Sequence, residues 1–435
     1  MPTAVSPGSG AFTLSLSGTA FVSGAAIDFN GSPLTTTFVD EAHLTAIVPA
    51  ADVATAGTAS VSVVNPAPGI GRSNIVYFQI GTPSVTVNFA NAANSPLQIY
   101  EPFALVASDF NEDGKPDLVI ATGIRVAVML GNGDGTFTAA TGSPVPAPSP
   151  PYDDFPSPYT GPGLAVGDFN NSGHAGFAVG LFNNIAAAVF FGNGTGAFTA
   201  SPTLANTSGE PTTWISAADF NRDGFLDLVA VNSGGGVSPT PLLGYGHGAF
   251  NGVDENIQIT GNSAAIGDFN GDGKLDLAIL NSIALGSGDG TFTQGASLSA
   301  SGVSVAGDFN GDGKLDLAVC SSVDNNVTIL LGDGAGNFAI ASGSPIAVGG
   351  QPQALVAGDF NNDGKLDLAV ANFSDNTVTL LLGNGDGTFA PASGSPYPVG
   401  QGPISIAAAD FNGDGKLDLA VANLTDGTVS ILVQQ

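Results

Sequence analysis

The chain has 435 residues, room for two or three domains, and its 43% hydrophobic content is enough for a sizeable core. Its 8 basic and 37 acidic residues give a formal net charge of −29, which argues against nucleic acids and anionic membranes as partners. No apolar run reaches the roughly 18 residues of a membrane span, so we expect no membrane insertion. The residues after Met1 lack the basic and apolar regions of a signal peptide, and we expect any such peptide to be absent from this chain.

Residues 1–81 are predicted to form a small β-sandwich, because short strand-like stretches alternate with turn signals. The turn signals are Asn30–Gly31 and the run PAPGIG at 66–71. In chain order the strand-like stretches read FTLSLSG, AAIDFNG, HLTAIVP, TASVSVVNP and SNIVYFQI. The stretch GTPSV (Gly81–Val85) is expected to be a hinge to a second domain.

A nine-residue motif, D-F-N-x-D-G-x-x-D, recurs through the rest of the chain. Its first residue stands at Asp109, Asp168, Asp219, Asp268, Asp308, Asp359 and Asp410. A period of about 50 residues is typical of propellers and other repeat architectures. Each unit holds four strand-like stretches, such as QALVAGDF, LDLAVANF, TVTLLLGN and GTFAPASGSPYPV. The pattern therefore predicts a seven-bladed β-propeller over residues 82–435.

Both ends of the repeat region indicate a closed ring. The last unit stops at TVSILVQQ and lacks the outer strand that the other units have. The segment Val85–Ile99, which precedes the first motif, resembles that missing piece. We expect residues 85–99 to complete the seventh blade, which would leave no edge strand exposed.

One phenylalanine set follows each first motif residue, and a second set ends turns of the GNGDGTF type. An aromatic stripe of this kind is either a ligand platform or packing between blades, and the fixed register favours packing. The two sets are Phe110, Phe169, Phe220, Phe269, Phe309, Phe360 and Phe411, and Phe137, Phe198, Phe250, Phe292, Phe338 and Phe389.

The motif carries oxygen ligands at alternating positions, as in Asp410, Asn412 and Asp414, with Asp418 at position 9. Ca²⁺ takes about six to eight oxygens, and position 7 of such a loop contributes its backbone carbonyl. An EF-hand begins in the same way but needs a Glu at position 12 on a helix. Position 12 here is Val421, in a short apolar run typical of a buried strand. The sequence therefore predicts a cation-binding loop between two strands.

These patterns resemble two known families. The run SGTAFVSGAAIDFNGSPLTTTFVDEAHLTAIVPA with SVSVVNPAPGIGRSN resembles the IPT/TIG group of immunoglobulin-like domains, which are spacers or interaction modules. The motifs, with FGNGTGAF-like turns between them, resemble the FG-GAP/VCBS repeat over about residues 83–435. That family includes the integrin α-subunit propeller, bacterial secreted proteins and fungal lectins. The fold class implied is all-β, a seven-bladed propeller behind an immunoglobulin-like β-sandwich.

The resemblance implies about six Ca²⁺ sites, in loops between the first and second strands of the blades. Each site would use side chains at positions 1, 3, 5 and 9 and the carbonyl of position 7. The predicted ligands are Asp109, Asn111, Asp113, Lys115 and Asp117; Asp219, Asn221, Asp223, Phe225 and Asp227; Asp268, Asn270, Asp272, Lys274 and Asp276; Asp308, Asn310, Asp312, Lys314 and Asp316; Asp359, Asn361, Asp363, Lys365 and Asp367; and Asp410, Asn412, Asp414, Lys416 and Asp418.

The second copy, beginning at Asp168, departs from the motif. Ser172 and Gly176 replace two of its three carboxylates, so we expect this loop to be empty or weak. A transition-metal role for His174 is the alternative, and the chain has only three histidines to support it. All five lysines stand at position 7 of other loops, which indicates either charge balance with the acids or solubility at a loop tip; we favour balance. The single cysteine, Cys320, excludes internal disulfides and is expected to be an inert core thiol.

Ligand-binding residues are expected on the face opposite the metal loops. The longest connection between blades, Thr141–Gly163, is rich in proline and carries Tyr152, Phe155 and Tyr159. Stiff loops with aromatic side chains suit sugar or peptide contacts, but a surface insertion without special role explains the stretch equally well. Trp214, the only tryptophan, lies either near the channel mouth or in the core.

We therefore expect an extracellular or cell-surface protein that acts in adhesion or in recognition of a glycan or protein ligand, with structural Ca²⁺. A polysaccharide-active, lyase-like enzyme is an alternative, although the chain has no Ser/His/Asp order and no histidine cluster. An architectural surface or filament protein is a third possibility.

Overall fold

The computed structural model describes residues 4–18, 21–66, 71–73, 76–84, 86–123, 125–146, 163–181, 186–203, 212–232, 239–253, 257, 259, 261 and 263–435. Over these ranges every regular element is a β-strand, apart from a 3₁₀ helix at Ala50–Val53. None of the helical structure described is long or apolar enough to span a membrane. The prediction of an all-β chain is confirmed.

The front domain consists of two packed sheets. One sheet has the spatial order Ala4–Val5, Val76–Ile80, Gly57–Asn65, Ala26–Phe29 and Ser32–Pro33, with Gly71–Arg72 paired beside Gly57–Asn65. The other has the order Phe12–Ser17, His43–Val48 and Thr36–Asp40. The side chains between the sheets form one hydrophobic cluster that includes Leu14, Ile27, Phe29, Leu44 and Phe78.

Local sequence explains the front-domain hairpin. Asn30 and Gly31 have φ values of 51° and 74°, and the strands on either side pair Phe29 with Ser32. An Asn-Gly pair adopts positive φ at low cost and favours a tight hairpin, so this predicted turn is confirmed. The strand Thr36–Asp40 was not among the predicted ones, because its half-exposed residues at a sheet edge give no alternating apolar pattern.

The rest of the described chain forms seven antiparallel blades. From inner to outer strand they are Pro102–Ser108, Asp117–Thr122, Arg125–Gly131 and Phe137–Ala139 (blade 1); Leu164–Gly167, Gly176–Leu181, Ala186–Gly192 and Phe198–Ala200 (blade 2); Thr212–Ala218, Asp227–Asn232, Thr240–Gly244 and Phe250–Gly252 (blade 3); Ala264–Gly267, Asp276–Ile279, Ser282–Gly286 and Phe292–Ser297 (blade 4); Val303–Gly307, Asp316–Ser321, Asn326–Gly332 and Phe338–Ile340 (blade 5); Pro352–Gly358, Asp367–Asn372, Thr377–Gly383 and Phe389–Pro391 (blade 6); and Pro403–Ala409, Asp418–Asn423, Thr428–Gln434 and Phe89–Asn91 (blade 7). Short strands at Val145–Pro146, Ile346–Ala347, Tyr397–Pro398 and Leu97–Gln98 pair with the third strands of blades 1, 5, 6 and 7.

Hydrophobic packing between neighbouring blades closes the ring. A second strand such as Asp418–Asn423 is buried along its whole length, which explains its continuous apolar sequence. Each of the seven junctions between blades has its own apolar cluster in the described residues. The cluster between blades 7 and 1 joins Phe411 and Ile431 to Leu105 and Leu118. The predicted seven-bladed fold is therefore confirmed.

Both ends of the repeat region contribute to blade 7. Phe89–Asn91 runs antiparallel to Thr428–Gln434, with Phe89 opposite Gln434. The Ser95 hydroxyl accepts the N–H of Ile431 at 3.0 Å. In the same way, one backbone N–H group in the third strand of each of blades 1, 5 and 6 donates to a serine hydroxyl, that of Ser143, Ser344 and Ser395 respectively.

The two phenylalanine sets pack against each other across the blade junctions. In the first junction Phe110 meets Phe198 edge-to-face, with ring centroids 5.6 Å apart. Five other junctions contain the pairs Phe169–Phe250, Phe220–Phe292, Phe269–Phe338, Phe309–Phe389 and Phe411–Phe137. In the remaining junction Phe360 meets Phe89, which lies outside both sets. The members of the first set are at most 3% exposed, so the packing interpretation is confirmed.

Candidate functional site

Every motif connects the first and second strands of a blade, so all seven loops lie on one face of the propeller, here called the loop face. In blade 1 the Asp109 carboxylate accepts the N–H groups of Asp113 at 3.1 Å and Gly114 at 2.8 Å. Asn111 Oδ1 also accepts from Asp113, at 3.1 Å, and Asp113 Oδ1 accepts the N–H of Lys115 at 3.0 Å. The loop thus fixes its oxygen-bearing side chains with its own backbone.

Position 4 of each loop has a left-handed backbone. The φ values lie between 52° and 75° at Glu112, Asn171, Arg222, Gly271, Gly311, Asn362 and Gly413. Glycine adopts this conformation freely and asparagine at low cost, but Glu112 and Arg222 adopt it with strain. The hydrogen bonds of the loop hold the backbone in this sharp turn.

The Asp at position 9 has a structural role that the sequence did not suggest. In blade 1, Asp117 Oδ2 accepts the N–H of Phe110 at 2.9 Å and Oδ1 accepts the N–H of Gly131 at 2.8 Å. The carboxylate is fully buried and ties the loop to the end of the third strand. In the sequence, the only sign of this role is the glycine that recurs at the end of most third strands. The equivalent residues are Asp227, Asp276, Asp316, Asp367 and Asp418, whose strand-end partners are Gly244, Gly286, Gly332, Gly383 and Gln434.

Burial raises the pKa of these position-9 carboxyls, and repulsion from the position-1 and position-5 carboxylates raises it further. The pKa is raised to about 6 for Asp117, Asp276 and Asp316, to about 7 for Asp227 and Asp367, and to about 8 for Asp418. Each of these six loops therefore brings several negative charges together where water does not screen them well. A bound cation would relieve that repulsion.

The donor set of these loops suits a hard cation by its chemistry. A carboxylate offers about four lone-pair sites. Asp117 accepts three backbone N–H groups, so about one site remains for a cation. With the amide oxygen of Asn111 and the carbonyl of Lys115, the first loop offers the all-oxygen set that Ca²⁺ prefers. No three His, Cys, Asp or Glu side chains in the described ranges lie close enough to hold a metal alone. Amide and backbone oxygens would have to complete the coordination.

All five lysines lie beside the acids of their own loops. Their ammonium groups are 3.2 to 3.8 Å from the position-5 carboxylates, in the pairs Lys115–Asp113, Lys274–Asp272, Lys314–Asp312, Lys365–Asp363 and Lys416–Asp414. A lysine in this position offsets one of the three carboxylate charges, as the charge-balance hypothesis requires.

The second loop keeps the turn although it has lost two of the three acids. Asp168 accepts the N–H groups of Ser172 at 3.0 Å and Gly173 at 2.6 Å, as position 1 does elsewhere. His174 Nδ1 lies 2.6 Å from Oε1 of Glu112 in the first loop. The described side-chain contact of His174 thus joins blades 1 and 2. The carboxylate of Glu112 is the one described hydrogen-bond partner of its ring, which is too few ligands for a transition-metal site.

The face opposite the loop face, here called the opposite face, carries the connections that do not repeat. Tyr152, Phe155 and Tyr159 lie outside the described residues. Trp214, in the inner strand of blade 3, is half-buried against the cluster between blades 3 and 4. A Cβ at Gly163, where the proline-rich connection ends, would be 2.7 Å from the Cα of Trp214. The end of that connection is therefore packed directly on the strand that carries Trp214.

Tyr100 is an exposed aromatic residue that sequence reasoning missed. It lies two residues before the inner strand of blade 1, hence on the opposite face, and its residue surface is 71% exposed. Its hydroxyl group donates a hydrogen bond to the Glu101 carboxylate, and this bond raises the pKa of the tyrosine hydroxyl. The isolated tyrosine follows a two-residue strand, and no sequence pattern singles it out.

Family comparisons match both parts of the chain. The FG-GAP-like repeat profile matches residues 109–179, 168–230, 268–319, 308–370 and 359–421, together more than half of the chain. The IPT/TIG domain profile matches residues 2–80. None of the curated proteins matches the chain.

Several solved structures share the fold at low sequence identity. A Burkholderia pseudomallei lectin, BP39L, is 17% identical with a TM-score of 0.57, over 78% of this chain and 96% of its own. An Agrocybe aegerita lectin specific for non-reducing terminal N-acetylglucosamine is 18% identical with a TM-score of 0.51, over 92% and 99%. Kuenenia stuttgartiensis hydrazine synthase is 16% identical with a TM-score of 0.50, over 78% and 96%. These likenesses concern the fold alone.

Proposed function

Because the chain belongs to the FG-GAP-like repeat family and carries an IPT/TIG domain at its front, we propose that it is an extracellular β-propeller that recognises a glycan or protein ligand in adhesion, with Ca²⁺ as a structural cation. The observation that carries the proposal is the difference between the two faces. The loop face consists of repeated loops whose side chains are held by their own backbone. The opposite face carries the non-repeated connections and an exposed tyrosine.

The chemistry of the six loops supports a structural role for calcium. Sites of this ligand type bind Ca²⁺ with roughly micromolar to millimolar dissociation constants, so they fill outside a cell and stay empty in a resting cytosol. Each loop joins the two innermost strands of a blade, and a cation there would stabilise the blade at that connection. The extracellular location is proposed because it would supply this calcium.

Aromatic side chains support ligand binding at the opposite face. Tyr100 is exposed there, and Trp214 lies beside the end of the proline-rich connection that carries Tyr152, Phe155 and Tyr159. A rigid aromatic ring offers contact area to a sugar or peptide with little loss of conformational entropy. Two solved structures of similar fold are lectins, and one of them recognises non-reducing terminal N-acetylglucosamine, which makes a glycan the first ligand class to test.

An array of glycans and matrix proteins, probed with the full chain in calcium, tests the proposal. We expect binding to one ligand class, with a drop of about fivefold or more in Tyr100→Ala. Tyr245→Ala is the matched control, because Tyr245 is a 53% exposed tyrosine beside the turn that follows the third strand of blade 3 on the loop face. Absence of binding to every probe would contradict the proposal, and turnover of a polysaccharide would favour the enzymatic alternative.

A further inference from the structure

The front domain lies on the loop face of the propeller. The Thr58 hydroxyl donates a hydrogen bond to Asp410 Oδ2 at 2.9 Å, in the seventh loop. The N–H of Asp109, in the first loop, donates to the Tyr77 hydroxyl at 3.0 Å. Two predicted calcium loops are therefore in direct contact with the front domain.

Further contacts extend this interface along the loop face. The N–H of Ser84, in the segment that connects the front domain to the propeller, donates to the carbonyl of Asn361, in the sixth loop, at 2.7 Å. Glu41 forms an ion pair with Arg222, at position 4 of the third loop. The front domain and the segment that follows it thus reach the loops of four blades.

Backbone meets backbone at the centre of the interface. A Cβ at Gly415, position 6 of the seventh loop, would be 2.4 Å from the carbonyl oxygen of Ile80. A Cβ at Gly81 would be 2.5 Å from the carbonyl oxygen of Gly415. No other residue fits at either position without moving the two domains apart, so the docked arrangement requires the seventh loop to keep its present shape.

The contact with the front domain distinguishes the seventh loop from the fourth and fifth. Asp410 is 3% exposed, whereas the equivalent Asp268 and Asp308 are only half-buried. Asp410 Oδ2 accepts the N–H of Gly415 at 2.8 Å as well as the Thr58 hydroxyl. In the fourth and fifth loops the described partners of position 1 all belong to the same loop. A cleft of about 240 Å³ between the domains is lined by both Asp109 and Asp410.

We propose that the front domain is part of the seventh cation site, with Thr58 as the residue that positions Asp410, so that cation binding and docking of the front domain stabilise each other. The inference rests on the proposed binding of Ca²⁺. Hydrogen-bond partners behind a metal ligand fix its orientation, and their loss typically lowers metal affinity by about 10- to 100-fold. The coupling is reciprocal, because a cation that binds the docked form more tightly must also favour docking.

Calcium titration of the EDTA-stripped full chain tests the first half of the coupling, by calorimetry for affinity and native mass spectrometry for the number of ions. Thr58→Val should weaken the binding of one of the bound ions, the one in the seventh loop, by about tenfold at an unchanged number of ions. Thr58→Ser, which keeps the hydroxyl, should bind as the wild type does. Thr37→Val is the matched control on an exposed strand of the same domain and should change nothing.

Small-angle scattering tests the second half. Calcium-free protein should have a larger radius of gyration than calcium-loaded protein, because the front domain is released about the 81–85 segment. Wild-type affinities in Thr58→Val, or the same radius with and without calcium, would overturn the coupling while leaving calcium binding intact. Failure of every variant to bind calcium would overturn both this inference and the calcium part of the proposed function.

Discussion

Phe360 of blade 6 packs edge-to-face against Phe89, with 6.3 Å between the ring centroids. Phe89 belongs to the segment that enters the propeller first, whereas its strand partner Gln434 is the second-last residue of the chain. Tyr397 packs on the same ring at 5.1 Å and donates its hydroxyl hydrogen to the carbonyl of Val87 at 2.8 Å. This aromatic group holds the outer strand of blade 7 in place and thereby closes the ring.

Replacing Phe89 by alanine should destabilise the protein by about 3 to 5 kcal/mol, since the ring is 8% exposed and leaves a cavity against Phe360 and Tyr397. Phe89→Leu should cost less, because most of the volume remains. Guanidinium unfolding curves measure both changes.

Phe338→Ala is the control for ring closure. Phe338 meets Phe269 in the same geometry, at 5.7 Å, but within a continuous stretch of chain. Both alanine variants should lose stability, yet only Phe89→Ala should also expose the edge of Thr428–Gln434 and aggregate at intermediate denaturant. Light scattering detects this, and equal scattering from both variants would show that Phe89 has no special role in closure.

Regular spacing made much of this fold predictable. Because the packing is the same at every junction, each repeat carries a Phe at the same position. The spacing of the motif was therefore enough to predict the blades and their number. The front-domain turn at Asn30–Gly31 was predictable for a local reason, the low cost of positive φ for that pair. Family matches confirm both resemblances that the motifs suggested.

The contacts of Thr58 and Tyr77 with the loop face could not be predicted. Neither residue belongs to a repeat, and Thr58 is far from Asp410 in the sequence, so no periodic pattern relates them. The role of Asp117 was only half predicted for a different reason. Its type and spacing suggest a cation ligand, while its bonds to Phe110 and Gly131 depend on a strand pairing that only the folded chain creates.

Cys320 should not react in the native protein. The thiol is 1% exposed within the cluster between blades 5 and 6, and burial raises its pKa to about 12. With Ellman's reagent at pH 8 we expect less than a few per cent of the thiol to react natively and one equivalent to react in guanidinium. Rapid stoichiometric labelling of folded protein would show that the blade junction opens.

Stability of the metal-free protein should fall as the pH rises from 5 to 8. The position-9 carboxyls have folded-state pKa values of about 6 to about 8, above the ordinary value of 3.8, so the folded state binds more protons than the unfolded state in this range. The stabilisation they provide is complete below pH 4 and disappears as the pH passes the folded pKa values. Exposed aspartates with lowered pKa values, such as Asp134, titrate below this window.

Unfolding curves in EDTA and in calcium at pH 5, 6, 7 and 8 measure this effect. Calcium should reverse the slope, because it binds the ionised carboxylates and so favours the folded state more as the pH rises. A rise in stability with pH in EDTA would contradict the assigned burial of these acids. Identical curves with and without calcium would contradict the calcium sites.

Asp312→Asn in the fifth loop should separate metal binding from folding. The Asp312 side chain is 38% exposed, and its described partners, the N–H and ammonium group of Lys314, are both at the loop surface. The substitution should therefore change stability in EDTA by less than about 1 kcal/mol. In calcium at 100 times the dissociation constant it should remove most of the roughly 2.7 kcal/mol that one occupied site provides.

Ser172→Ala is the matched change in the second loop, at the same motif position but in a loop without the three carboxylates. Its hydroxyl lies 3.3 Å from Asp168 Oδ1, so a small loss of stability is expected in both conditions. The calcium-dependent increment should equal that of the wild type, because this loop is expected to be empty or weak. A reduced increment in Ser172→Ala would show that the second loop binds calcium after all, with the hydroxyl standing in for a carboxylate.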